Sequence, residues 1–350
     1  MSKAAELAAL IGSGQAQGDK NLIINGAATV NQRGNQTASN GSAVYFVDRW
    51  NMYHNSGALA ANLQQSTVVP SGQGFNNSIL VDCTTADSSV GAAEVALLRQ
   101  IIEGQNLQRL AYGTSGAKSL TISFWVRSTK TGIYVVDIYH ADATARTQSH
   151  QYTINQADTW EYKTLTFSGD TSIATDNDNA ATFYVQWVLM SGTDHTSGSL
   201  ATTWQNQTDA NRFVGQVNFF DSTSNNFYLT GVQIEVGDVA TPFEHRSHAD
   251  ELIRCQRYYQ SVDHYYSSGS SSVNAFYYTP LYFPINMRGT PTMTASAWGS
   301  NTGNATSYHS STLVNGWILV SAASTAALVR GNHTNAYNLL SGRGKFDAEL

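Results

Sequence analysis

Ser119-Leu120-Thr121-Ile122-Ser123-Phe124-Trp125-Val126 alternates at every step. Leu120, Ile122, Phe124 and Val126 fall on one face, and Ser119, Thr121, Ser123 and Trp125 on the other. A period of two is the signature of a strand with one side in a core. The same pattern returns at Thr182 to Leu189, through Phe183, Val185, Trp187 and Leu189, and at Phe227 to Val236, through Val232, Ile234 and Val236. Ile133 to Tyr139 and Leu165 to Phe167 read as two further strands. The joints between them, Thr131-Gly132, Ser168-Gly169-Asp170 and Ser191-Gly192, carry turn residues. Antiparallel sheets packed face to face account for this order. The core of that packing is predicted to include Ile122, Phe124, Val135, Phe183, Val185, Val232 and Ile234.

Helical periodicity is scarce. Ala4, Leu7, Ala8 and Ile11 form an apolar stripe on a helix too short to persist alone, followed by the hinge Gly12 to Gly18. A second helix is predicted over Ala249 to Gln260, opened by Ser247 with Asp250 three residues on and striped by Leu252, Cys255 and Tyr259. After the Ser-rich run 267–272 come strand-like stretches at Ala275 to Phe283 and Trp317 to Val320. The end of the sequence alternates Phe346, Ala348 and Leu350 with charged residues. The organisation predicted is all-β: a helix and hinge over 1–18, a β-sandwich over 19–245, a linker helix over 246–262 and a second antiparallel β-sandwich over 263–350.

Composition narrows the function. Hydrophobic residues make up 41% of the 350 positions, enough for real cores, while charged residues reach only 13%, half the usual fraction of about 25%. The exposed surface is therefore largely neutral and polar. A net charge of -6 offers nothing to a phosphate backbone, so nucleic acid is excluded as the main partner. No apolar run reaches the length of a bilayer span, so no membrane insertion is expected. The opening residues lack a signal-peptide pattern, and two distant cysteines, Cys83 and Cys255, build no disulfide framework. Folding in a reducing cytoplasm is expected.

Three stretches resemble the jelly roll of carbohydrate-binding modules: Asn21-Leu22-Ile23-Ile24-Asn25-Gly26, Val47-Asp48-Arg49-Trp50, and Gly231 to Gly237. The run Ala240-Thr241-Pro242-Phe243-Glu244-His245-Arg246-Ser247, continuing into Glu251 to Tyr259, is similar to tail-fibre and other virion appendage proteins of bacteriophages, marine phages in particular. Phe283 to Arg288 and Asp347 to Leu350 resemble the C-terminal β domain of the same family. The resemblance implies a virion structural protein, a homotrimer when it forms a fibre, assembled in the host cytoplasm and placed on the phage tail or capsid exterior. It also implies glycan-recognition modules that serve host adsorption. The stripe Ala4, Leu7, Ala8 and Ile11 would dock on other virion proteins. The alternatives are a capsid decoration protein and a polysaccharide depolymerase with carboxylates between subunits.

Sugar recognition needs an aromatic face for C–H surface and polar side chains for hydroxyls. In the first module the long loop after Ser191 offers Asp194, His195, Trp204 and Asn206, although Trp204 is large enough to plug the end of its own sandwich instead. In the second, Tyr265, Tyr266 and Trp298 flank Ser- and Gly-rich stretches. Asp176 and Asp178, in Asp176-Asn177-Asp178-Asn179, are weak candidates for a structural calcium, but lack the glycine and closing glutamate of an EF-hand and read first as an ordinary turn. His245 and His248 do not have zinc-enzyme order, no catalytic motif is present, and no other cofactor is implied. Asp137, Asp142 and Glu161 are the carboxylates that a glycoside hydrolase could use, but nothing in their spacing selects them.

Overall fold

The computed structural model describes residues 19–39, 41, 43–268, 276–297, 317–322, 326–332 and 339–350. The chain divides after Ser247 into two compact units. The docking stripe Ala4, Leu7, Ala8 and Ile11 and the candidate Trp298 lie outside the described residues.

The larger unit is a jelly-roll-like sandwich of two antiparallel sheets. One sheet has the order β1 (Gln36–Ser39), β4 (Ala60–Ser66), β5 (Ser78–Thr85), β13 (Asn226–Val236), β7 (Leu120–Ser128) and β10 (Glu161–Phe167). The other runs β12 (Gln205–Asn206), β9 (Arg146–Ile154), β8 (Gly132–His140), β11 (Ala181–Ser191), β6 (Val95–Glu103), β3 (Asn51–His54) and β2 (Ala43–Tyr45). The chain passes from sheet to sheet between β5 and β6, β6 and β7, and β7 and β8. Each crossing brings the apolar faces together.

Between the sheets, Leu120, Ile122, Phe124 and Val126 of β7 are fully buried, as are Val185, Trp187 and Leu189 of β11. Trp187 forms the middle of this core, with its ring 5.5 Å from Trp50 and 5.6 Å edge-on from Phe124. Six of the seven residues predicted for the core take part. Val135 does not: it is buried, but in a separate cluster with Val95, Leu97, Val188 and Phe213 on the outer face of the seven-stranded sheet. Strand β8 reads Ile133-Tyr134-Val135-Val136-Asp137-Ile138-Tyr139, apolar on both sides, so alternation alone does not fix its phase. Tyr134, Val136 and Ile138 are the residues facing inward.

The opening stretch Asn21 to Gly26 completes the sandwich along β13. The Asn21 side chain accepts the amides of Ile23 and Ile234, both at 2.9 Å, and donates to the Val232 carbonyl at 3.0 Å. It supplies ladder bonds where β13 bulges between Thr230 and Gln233. Gly26 is required there, since a Cβ would stand 2.1 Å from the Val232 oxygen. Asn25 donates to the carbonyls of Val30 and Asp48, and its own carbonyl accepts the Trp50 indole N–H at 3.0 Å. These short motifs are thus a buried polar frame rather than a binding surface.

The run after β13 closes on the same segment. Glu244 accepts the amides of Asp19 at 2.7 Å and Asn21 at 2.9 Å, while Arg246 donates to the Ile23 carbonyl at 3.0 Å. Burial pushes the Glu244 carboxyl up, but those amides and the Arg246 guanidinium outweigh it and hold it below the usual carboxylate range.

The smaller unit begins with helix α1 (His248–Gln256), shorter than predicted because Tyr259 already starts β14 (Tyr259–Ser268). The remaining strands are β15 (Phe276–Tyr282), β16 (Thr292–Ala297), β17 (Trp317–Ala322), β18 (Ala326–Asn332) and β19 (Leu339–Asp347). They form two three-stranded antiparallel sheets, β14-β19-β16 and β15-β18-β17. Phe346 is fully buried with its ring 5.0 Å from Phe283, in keeping with the alternation read at the end of the sequence.

Candidate functional site

On the outer face of the seven-stranded sheet, alternation points a different set of residues away from the core: Tyr53 on β3, Arg99 on β6, Tyr184 and Gln186 on β11, and Asp137 and Tyr139 on β8. The register aligns them, with Arg99 opposite both Asn51 and Gln186, Gln186 opposite Asp137, and Tyr184 opposite Tyr139. The loop after β11 folds over one side in two short turns, Thr193–His195 and Asp209–Asn211. Backbone bonds fasten those turns together, from Phe213 to the His195 carbonyl at 2.9 Å and from Gly198 to that of Ala210 at 2.9 Å. Phe213 fills the apolar cluster beneath, so the loop is a packed wall. Sheet and wall enclose a cleft of about 400 Å³, with Tyr53, Arg99, Tyr139, Tyr184, His195, Asp209 and Arg212 among its lining.

Asp137 forms the foundation of the cleft. It is fully buried and each of its oxygens accepts two hydrogen bonds: Oδ1 from the hydroxyls of Thr147 and Ser149, Oδ2 from Gln186 at 2.8 Å and Arg212 at 2.7 Å. A buried carboxylate is tolerable only with such complete pairing. Arg212, drawn in by this bond, lies 5.1 Å over the ring of Tyr139 and 4.7 Å over Phe213.

Arg99 is held differently. Its guanidinium stacks 4.5 Å over Tyr53 and 5.4 Å from the Tyr184 ring, and its Nε donates to Asn51 at 2.9 Å. Among the described residues no carboxylate pairs with it. Burial pushes its pKa down, an effect that the surrounding tyrosines oppose and the Arg212 charge adds to. Tyr139 and Tyr184 meet edge-on at 5.6 Å, and both, like Tyr53, are partly exposed. The hydroxyls of these three tyrosines bond to no protein group among the described residues. Across from them, His195 Nδ1 lies 4.0 Å from Asp209, which also accepts from Gln207 at 2.6 Å.

Of the residues singled out in the sequence, His195 lines this cleft. Asp194 is exposed one position away. Trp204 is elsewhere: it packs against the end of the core, edge-on to Tyr112 at 5.8 Å, and its indole N–H donates to the Ser168 carbonyl at 2.6 Å. Asn206 accepts from Arg146 at 3.0 Å beside it. Tyr265 and Tyr266 lie on β14, their side chains outside the described residues. Asp178 accepts the Ala180 amide at 2.9 Å in a local turn, and Asp176 is exposed next to it. Among the described residues no three metal-binding side chains gather. The other carboxylates are tied down as Asp137 is. Asp142 accepts from the Asp176 amide and Thr182, and Glu161 from Lys163 and from Asn155 and Gln156. Despite some burial, these bonds draw Glu161 down to about 2.

No family model matches the chain, and no curated protein matches it. Solved structures do align with it. The enzymatically active domain of tailspike protein 4 from bacteriophage CBA120 aligns at TM-score 0.31 and 12% identity, over 62% of this chain. The chain spans only 21% of that domain's length. A family 4 carbohydrate-binding module aligns at TM-score 0.30 and 13% identity, over 61% of this chain and 97% of the module. The family 11 module from Clostridium thermocellum, bound to a mixed-linked tetrasaccharide, aligns at TM-score 0.28 and 12% identity, over 59% and 98%.

Proposed function

We propose that the larger unit binds a glycan in the cleft over Tyr53, Tyr139 and Tyr184, and that the chain is a phage virion appendage using this site to adsorb to host-surface glycan. The observation that carries the binding reading is the trio of partly exposed tyrosines on the outer sheet face, whose hydroxyls have no protein partner among the described residues. Aromatic rings meet sugar C–H surface, and the phenol hydroxyls and Asp209 meet sugar hydroxyls. Binding is favoured over catalysis because Asp137, Asp142 and Glu161 are all committed to structural hydrogen bonds. The reading calls for no cofactor. The virion role rests on the resemblance carried by Ala240 to Tyr259. In that role the protein is a homotrimer docked on other virion proteins through its first residues, and linked copies turn weak single-site binding into strong adsorption.

A glycan array probed with the full chain tests the binding reading. Replacing Tyr184 with Ala removes a stacking ring and lowers affinity about fivefold to tenfold per site. Replacing Trp125 with Ala, on the outer face of the other sheet, leaves affinity unchanged. Equal binding by wild type and the Tyr184 variant would remove the cleft from the account.

A further inference from the structure

Resting on the glycan reading of the cleft, we propose that its ligand is an acidic glycan, whose carboxylate or sulfate pairs with the guanidinium of Arg99.

The charges around Arg99 point to this. The neighbouring cation, Arg212, is neutralised by Asp137 at 2.7 Å, and elsewhere on the unit Arg146 pairs with Asp170 at 2.7 Å and Arg127 with Asp158 at 2.9 Å. Arg99 has no such partner among the described residues. Among the described residues its one hydrogen bond goes from Nε to the neutral side-chain amide of Asn51, and its two terminal nitrogens have no acceptor. Holding a guanidinium half-buried without a counter-ion costs free energy. A protein of net charge -6 gains nothing in solubility from that placement.

The geometry is also suited to an anion. Tyr53 and Tyr184 flank the guanidinium, with its Cζ 4.5 and 5.4 Å from their ring centroids, and its N–H groups form a planar fork of donors. Such a fork pairs side-on with a carboxylate or a sulfate, and little rotamer entropy remains to be lost on binding. The neutral groups around it suit the rest of a sugar ring. Asp209, across the cleft on the loop wall, accepts hydroxyls and repels a second acidic group, which gives the ligand a direction.

The test is an array of neutral, uronate-containing, sialylated and sulfated oligosaccharides, read with the full-length protein, followed by titration of the best binder and its carboxyl-reduced or desulfated form. The acidic form is expected to bind about tenfold tighter than its neutral counterpart. The Arg99→Gln variant, checked for fold by circular dichroism, brings that ratio close to one. For the wild type, raising salt from about 50 to 500 mM shrinks the ratio, a readout that needs no variant. Preference for uronates alone identifies a carboxylate partner, and preference for sulfated sugars alone identifies sulfate. Equal affinity for acidic and neutral forms overturns the acidic assignment while keeping the glycan reading, as does a ratio that survives both Arg99→Gln and high salt. Binding to no member of the array overturns both.

Discussion

Arg212→Met lowers the unfolding free energy of the larger unit by about 3 to 5 kcal/mol, the cost of leaving a buried charge without its partner. The charge in question is Asp137, fully buried, with Arg212 as its only cationic neighbour within hydrogen-bonding distance among the described residues. Thr147, Ser149 and Gln186 continue to donate to it, but neutral donors do not offset a full charge. The double variant Asp137→Asn with Arg212→Met recovers most of the loss, because an amide keeps the hydroxyl partners and carries no charge. Thermal unfolding of the three proteins distinguishes the two effects. A loss under about 1 kcal/mol in the single variant would mean that the hydroxyls and Gln186 alone satisfy the carboxylate.

The second large effect comes from the other side of the same sheet. Trp187→Ala empties the centre of the sandwich, where the ring touches Trp50 and Phe124, and is expected to cost about 3 to 5 kcal/mol. In calorimetry this corresponds to a fall of about ten degrees in the larger unit's transition. Trp125, partly exposed on the outer face of the six-stranded sheet, is the control, and its replacement with Ala costs far less. Similar losses for both would contradict the assignment of inner and outer faces.

The sandwich was legible where one face of a strand is apolar and the other is not. Strand β7 and the second half of β13 are of that kind, and the residues that the alternation names there face inward; the bulge in β13 reverses its phase, so Phe227 and Leu229, which the alternation does not select, also enter the core. Strand β8 is covered on both sides, by the core and by the loop carrying Phe213, so its sequence holds two apolar sets in alternation, and Val135 belongs to the outer one. Cys255 and Tyr259 are four apart, a spacing that predicts a helix face but here joins the end of a helix to the start of a strand.

The cleft was far less legible. Its lining is spread over four strands that are neighbours in space but not in sequence, and each contributes one to three outward residues that look unremarkable in isolation. The loop from Ser191 to Asn206 is recognisable in the sequence by its length, and its large aromatic, Trp204, is the residue that suggests sugar stacking. Arg212 lies beyond it and carries no such signal, since the buried carboxylate it pairs with is 75 positions earlier. A signal was present: Tyr53, Arg99, Tyr139 and Tyr184 sit at outward positions of strands in a chain poor in charge. Reading it requires the strand order, which the alternation of single segments does not supply.

The central claim is that a glycan occupies the cleft on the seven-stranded sheet. A crystal structure of the full chain soaked with the tightest oligosaccharide from the array tests it most directly. The account predicts a sugar ring within about 4 Å of the faces of Tyr53, Tyr139 or Tyr184, with its acidic group on Arg99. Sugar bound instead on the opposite sheet, over the Trp125 and Tyr162 rings 5.3 Å apart, with the cleft empty, would contradict it.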